Sequence, residues 1–312
     1  MNTKQKDLYH LDSAESVYFE GELRHIKAQT YDVVRKDLKA TLLIPVNTDV
    51  NPGAEFIEYR SYDQVGMAKI VADYAKDFPR VDVYGTAKSV KIKSIGDAYG
   101  YTIQEIRRAA MQPNAKLESR RAITARRAID EKQDTIAWFG DEASGLQGFI
   151  NHPNISEYIL ANNAAGTSKA WADKTDDEKL ADVIGIITAA PLATNGKETP
   201  DTLILPMSLY NDLAFTPYGT NKDHTLLWFI QTHYTMITKI DWVEELKGAG
   251  ANGTNRIMAY TRDPMKLTLE IPQPFEQFPP QQEGLEYKII CHQRTAGVIV
   301  YYPASVYMAD GA

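Results

Sequence analysis

Six histidines, one cysteine and a doubled Arg-Arg-Ala-Ile are the residues of this chain whose types invite chemistry. The histidines are His10, His25, His152, His224, His233 and His292. No pair has the His-x-x-x-His spacing that brings two imidazoles to one helix face around zinc, and the nine-residue step from His224 to His233 is not a usual zinc pattern. The single cysteine, Cys291, excludes an intrachain disulfide and a cysteine-rich metal centre. Set in an apolar strand pattern, it reads as a small buried hydrophobe rather than a nucleophile. A phosphate-cradling glycine loop, a dinucleotide glycine fingerprint and a Gly-x-Ser-x-Gly elbow are all missing from the sequence. His152, beside Asn151 in a glycine-rich loop, is the best candidate for a catalytic side chain. The favoured alternative is a loop histidine ahead of Pro153, hydrogen-bonded to a neighbouring carbonyl. The sequence therefore nominates no catalytic residue, no cofactor and no metal.

Arg-Arg-Ala-Ile occurs twice, at 120–123 and 126–129. A nucleic-acid module would use such arginines on phosphates and would bind with steep salt dependence. Acids interleave them, no aromatic stacking platform accompanies them, and the whole chain carries a formal charge of −7. A solvated helix face or ion pairs between subunits is the better reading.

The elements that hold these residues follow from periodicity and punctuation. Thr102-Ile-Gln-Glu105 is a capping box, opening a helix that runs to about Met111 and is interrupted at Pro113. Asn114 can cap a second helix reaching Phe139, roughly 39 Å long. On a helical projection Leu117, Ala122, Ala125, Ala128, Ile129, Ile136 and Phe139 share one face. Arg120, Arg126, Arg127, Asp130, Glu131 and Asp134 lie opposite. Arg126 with Asp130 and Arg127 with Glu131 have intrahelical pair spacing in the weaker orientation, worth about 0.2–0.5 kcal/mol at most. Gly140 stands where a helix C-cap wants a left-handed residue, Asp141 completes the stop, and Gly145 and Gly148 allow close backbone approach before Asn151-His-Pro153.

Upstream, Phe56–Tyr62 and Ser89–Ile95 read as strands flanking a long tongue salted with Ile70, Val71, Tyr74 and Phe78. A two-stranded ribbon buries too little to stand alone, so this one calls for a neighbour. Downstream, Thr175-Asp-Asp-Glu178 caps a helix over 180–189. Thr199–Pro206 reads as a buried strand, 207–213 and 225–234 as helices, and 237–243 and 256–261 as strands around a glycine loop. Leu285–Cys291 and Ala296–Tyr302 read as two final strands joined by His292–Thr295.

The long helix, its Gly-Asp stop, and the loop Gly145-Leu-Gln-Gly-Phe-Ile-Asn-His-Pro153 resemble the spine helix and following loop of tailed-bacteriophage major capsid proteins of the Hong Kong 97 fold. Arg294–Pro303 resembles the family's returning strands, and the resemblance covers the chain from roughly 50 to 312, strongest at 102–155 and 285–310, carried by the order of the motifs rather than by any one of them. The resemblance implies an α+β fold with an N-terminal arm (1–48), an extended β-hairpin loop (49–95), a peripheral domain (96–178) with the spine helix at about 114–139, an α/β axial domain (179–275) and return strands (276–312). It implies a structural protein forming hexamers and pentamers of an icosahedral head around double-stranded DNA, touching that DNA weakly. Partners would include portal, scaffolding or decoration proteins. The expected place is the virion, after assembly in the bacterial cytoplasm.

The residues assigned to assembly or architecture are Gly140, Asp141, Gly145, Gly148, Asn151, Pro153, Arg120, Arg126, Arg127, Asp130, Glu131, Ile70, Tyr74 and Phe78. The polar N-terminus shows no secretion signal, and no window reaches the ~18 uninterrupted apolar residues of a membrane span. Two rivals remain: an encapsulin-like nanocompartment of the same fold with protein cargo, and a cytoplasmic α/β enzyme working at His152. In the enzyme case, His152→Ala would abolish an activity without changing oligomeric state.

Overall fold

The computed structural model describes residues 35–65, 82–111, 117–219 and 222–312. The architecture set out below is that of the compact unit Leu38–Ala312.

The capping box forms as its sequence dictates. The Glu105 amide donates to Thr102 Oγ1 and the Thr102 amide to Glu105 Oε2, both at 3.2 Å, opening α2 (Ile103–Met111). Residues 112–116, Pro113 and Asn114 among them, lie outside the described residues. Helix α3 (Leu117–Phe139) has 23 residues and is about 34 Å long. Its buried face is Ala125, Ile129, Gln133, Ile136 and Ala137. Two expectations for this helix fail. Ala128 and Phe139, assigned to the apolar face, are exposed, whereas Asp134, assigned to the polar face, is only 6% exposed. The cause is a second packing partner. Helix α1 (Ala40–Leu43) lies against α3, and its Ala40 amide, left without an intrahelical acceptor, donates to Asp134 Oδ1 at 2.9 Å. Ala40, Leu43 and Ile44, drawn by sequence into the arm, are fully buried core residues.

Strands β2 (Phe56–Val65) and β3 (Asp82–Lys91) form the expected ribbon, paired antiparallel from Phe56–Lys91 to Val65–Asp82. The alternation read as one strand over Ser89–Ile95 belongs to two. Buried Ile92 separates β3 from β4 (Lys93–Thr102), which leaves the ribbon and pairs along its whole length with β16 (Glu286–Thr295). The tongue between the ribbon strands, with Ile70, Tyr74 and Phe78, lies outside the described residues.

Strand β16 also corrects the reading of His292–Thr295 as a connector. These residues finish the strand, because β4 supplies backbone partners all the way to Thr295. Gly297, at φ +74°, then turns the chain into a different sheet. That sheet has the order β1 (Val46–Asn47), β13 (Leu267–Glu270), β17 (Gly297–Val300), β6 (Leu146–Gln147), β5 (Gly140–Asp141). Strands β14 (Gln273–Gln277) and β15 (Gln281–Glu283) share the other edge of β16, β14 along Cys291–Arg294 and β15 along Glu286–Lys288.

The remaining large sheet runs β11 (Lys239–Trp242), β8 (Thr202–Leu205), β12 (Arg256–Tyr260), β18 (Val306–Asp310), β7 (Ser156–Glu157). Strands β11 and β12 do not pair with each other; β8 lies between them, parallel to the first and antiparallel to the second. Helices α4 (Asp176–Ala193), α5 (Met207–Phe215) and α6 (Leu226–His233) cover one face, and a short ribbon of β9 (Pro217–Tyr218) and β10 (His224–Thr225) precedes α6. Alternate residues serve two cores. Leu203, Leu205, Ile257 and Ala259 face the helices, while Ile204, Met258 and Tyr260 join Trp138, Phe149 and Leu269 on the other side. Both faces being buried explains why the strand carries Leu203, Ile204 and Leu205 in succession rather than alternating apolar with polar residues. A third, smaller cluster places Cys291 and Tyr99 under Ala125 and Ile129 of α3.

Candidate assembly site at the end of the long helix

Gly140 follows α3 at φ +74°, and a Cβ there would sit 2.6 Å from the Gly148 nitrogen, an approach that no side chain tolerates. Gly148 is held as tightly, against the backbone of Trp138, Phe139 and Gly140. The chain beyond it runs back along the last turn of α3, with the Phe149 amide on the Ala137 carbonyl at 2.8 Å and the Ile150 amide on the Trp138 carbonyl at 2.9 Å. Those carbonyls would otherwise be the unsatisfied end of the helix. Gly145 plays a different part from its expected close approach. It takes φ +72° at the tip of the small β5–β6 hairpin and meets nothing nearby. Gly297 packs onto the Gln147 backbone, joining this elbow to β17.

Trp138 and Phe149 are fully buried, and Phe149 meets Tyr260 edge-on at 5.0 Å. The Tyr260 hydroxyl donates to the Leu43 carbonyl at 2.9 Å, and Arg262 Nε donates to the same oxygen at 3.2 Å. Lys39 donates to Asp241 at 2.9 Å and to the Trp242 carbonyl at 2.6 Å, and its ammonium lies 3.4 Å from the centre of the Trp242 ring. Segment 39–44 is thereby pinned to helix, sheet and elbow together. Sequence reasoning missed this; the available signal was a lysine heading an Ala-Thr-Leu-Leu-Ile run.

Asp141 is half-buried, and Asn151 and Pro153 are exposed. Between the last two, His152 is 4% exposed. Its Nδ1 accepts from the Asn154 amide at 3.3 Å, the reverse of the expected donation to a carbonyl. Burial, with Lys88 nearby, lowers its pKa from 6.5 to about 4. A neutral, enclosed imidazole whose recorded bond is to a backbone amide is a packing element. The Cys291 thiol is buried, and burial followed by the Asp97 charge pushes it upward, away from reactive thiolate. Among the described residues, no group of three or more His, Cys, Asp or Glu could hold a metal ion.

The charges of α3 divide by position. Arg120 is exposed. Arg127 and Glu131 pair at 2.8 Å, while Arg126 and Asp130 stand 3.9 Å apart, with Arg126 open to solvent and Asp130 half-buried. Burial raises the Asp130 pKa, and Arg126 and Arg127 only partly offset it. Arg121, which the sequence did not single out, makes the structural contact. It pairs with Glu105 at 2.9 Å, donates to the Gly100 carbonyl and covers the Tyr101 ring, tying α3 to α2.

The ribbon is rooted through Tyr59, edge-on to Tyr301 at 5.0 Å. Tyr301 donates to Glu270 Oε1 at 3.0 Å, and burial pushes its phenol up to about 12. Thr268 and Asn47 donate to the same oxygen of this fully buried glutamate.

Among the described residues, one compact unit combines a long helix ended by a glycine elbow, a ribbon that joins no larger sheet and a helix-covered sheet. Residues 66–312 match the family model described as Major capsid protein. The chain belongs to the major capsid protein family and has the Hong Kong 97-type fold. Among solved structures, the capsid of Myoviridae phage XM1 is similar over 95% of this chain and 99% of that one, at a TM-score of 0.77 and 17% identity. The capsid of a native GTA particle gives 0.65 at 12% identity, covering 94% and 96%. A structure from Mycobacterium phage Bobi gives 0.63 at 14% identity, covering 94% and 97%. No curated protein sequence matches the chain.

Proposed function

We propose that this protein is the shell subunit of a tailed-phage head, forming hexamers and pentamers that close into an icosahedral container for double-stranded DNA. The observation that carries the reading is the β2–β3 ribbon: ten residue pairs long, and joined among the described residues to no other strand. A ribbon of this length is marginal unless another surface covers it, and in a capsid family that surface is a neighbouring copy. Heterologous ring contacts then generate capsomers, and obligate interfaces of this kind typically bury about 2,000–5,000 Å² or more.

In this reading residues 1–48 include the arm, 49–95 the extended loop, 96–178 the peripheral domain, 179–275 the axial domain and 276–312 the return strands. The α3 charges and the elbow serve assembly, and the protein has no catalytic role. Its partners are further copies, with portal, scaffolding or decoration proteins. Contact with packaged DNA is weak, consistent with a net charge of −7. The protein is assembled in the host cytoplasm and ends in the virion. Among the described residues, no helix is long and apolar enough to cross a membrane.

Negative-stain electron microscopy with a mass distribution on the same sample tests this. Closed polyhedra, tubes or hexameric rings are expected, and cargo analysis then separates DNA from protein. A uniform monomer that persists under crowding and high concentration, with its own cooperative melt, overturns it.

A further inference from the structure

The chain contains two Asn-Gly pairs, Asn195-Gly196 and Asn252-Gly253. Both asparagines stand exposed in the left-handed backbone region, at φ +53° and +57°, which their short side chains tolerate. An exposed asparagine followed by glycine is also thermolabile, because a residue without a side chain leaves its amide nitrogen open to attack on the asparagine carboxamide. The two pairs differ in how that nitrogen is held. Beyond α4, the Gly196 amide donates to the Pro191 carbonyl at 2.8 Å, and the Thr194 amide and hydroxyl both donate to the Ala190 carbonyl, at 3.0 and 2.7 Å. Releasing Gly196 therefore frays a helix whose Ile186, Ile187 and Ala190 belong to the core. The Gly253 amide donates to the Gly250 carbonyl at 3.1 Å, closing the three-residue turn Ala251–Gly253, every residue of which is exposed. Local opening costs least where few buried contacts resist it.

We propose that Asn252 is a site of spontaneous deamidation, and that its conversion weakens the hold on Asp310 of the last strand. When the turn opens and solvent base takes the Gly253 amide proton, that nitrogen bonds to Asn252 Cγ. The Cγ–Nδ2 bond breaks and ammonia leaves, giving a succinimide. Water then opens the ring. Cleavage of the new N–Cγ bond yields aspartate, and cleavage at the original carbonyl carbon yields isoaspartate, whose main chain runs through Cβ and Cγ. One water enters and one ammonia departs. The place matters because Ala251, the preceding residue, donates its amide to Asp310 Oδ2 at 2.9 Å, the oxygen that also accepts from Arg256 at 2.7 Å. Either product adds a carboxylate one residue from that amide, and isoaspartate also lengthens the turn by one chain atom. The chemistry belongs to the folded subunit and is independent of what the subunit assembles into.

The test ages the full-length protein in mildly alkaline buffer and digests it in acid. Mass spectrometry of both Asn-Gly peptides follows, with electron-transfer fragmentation separating aspartate from isoaspartate. Conversion at Asn252 is expected to outrun Asn195 by about tenfold or more, with isoaspartate in excess. Aged protein should melt lower than fresh protein, and Asn252→Gln should keep its melting temperature. Equal rates at the two sites, a faster Asn195, or an Asn252 that stays intact while the same peptide converts when free, overturns the assignment. Full conversion with an unchanged melt overturns the effect on Asp310.

Discussion

Arg256 grips Asp310 at two points, Nε to Oδ1 at 2.6 Å and Nη2 to Oδ2 at 2.7 Å, and donates its remaining Nη1 to the Ile150 carbonyl at 2.6 Å. One guanidinium thus joins β12, the last strand β18 and the return from the glycine elbow. Both side chains are about nine-tenths buried. Burial alone would raise the Asp310 pKa; Arg256 and the Ala251 amide overcome it and hold the carboxyl below the ordinary range.

Breaking one partner of such a pair strands a buried charge. Asp310→Ala is expected to destabilise the subunit by about 3–5 kcal/mol in chemical denaturation at pH 7. Because the folded pKa is depressed, this stabilisation is present above the unfolded carboxylate pKa and drains away as pH falls through the folded one. The variant should therefore lose the part of the acid dependence that falls in that window. An unchanged acid limb would show that other carboxylates set it.

The glycines of the elbow should rank by what surrounds them. Gly148→Ala drives a methyl into the Gly140 backbone and is expected to cost at least the ~1–3 kcal/mol of overpacking, with Gly140→Ala close behind. Gly145→Ala meets no neighbour and pays only for its left-handed backbone, about 1–2 kcal/mol. Melting temperatures of the three variants give the order directly.

His152 sets a second acid-sensitive window. Its pKa drops from 6.5 to about 4 on folding, so below pH 6.5 the unfolded chain binds a proton that the folded chain refuses. Stability is full above 6.5 and falls by on the order of 3 kcal/mol as pH descends to 4. Replacing it with Gln should flatten that limb, and an NMR titration of the imidazole should show no protonation near pH 6.5.

Segment 39–44 should behave as core rather than tether. Leu43→Ala is expected to cost about 2–5 kcal/mol, as a fully buried leucine does. Tyr260→Phe, which leaves the Leu43 carbonyl still held by Arg262, should cost only about 1 kcal/mol. Denaturant midpoints of the two variants decide it.

Much of the helical framework was legible because its signals are local. Each capping box, at Thr102 and Thr175, closes within four residues, and Gly140 marks its own stop. The strand edges were less legible. Nothing in Ser89–Ile95 announces that Ile92 changes sheets, and nothing in His292–Thr295 announces that β4 will pair with it. Of the residues that hold the long helix and its elbow, the elbow glycines could be named in advance, whereas Arg121 could not, since its value depends on Glu105 and Gly100 arriving beside it.

By itself the sequence determined the order of elements, the helix ends, the absence of catalytic motifs and, through that order, the family. Those properties follow from short-range backbone chemistry and side-chain period, which operate before the chain folds. Only the tertiary structure decided which polar residues go inside. Asp134 is buried because an orphan amide of α1 reaches it, and His152 is neutral because the chain closes over it. Burial is set by what packs from a distance along the chain, and a single sequence carries no local record of that partner.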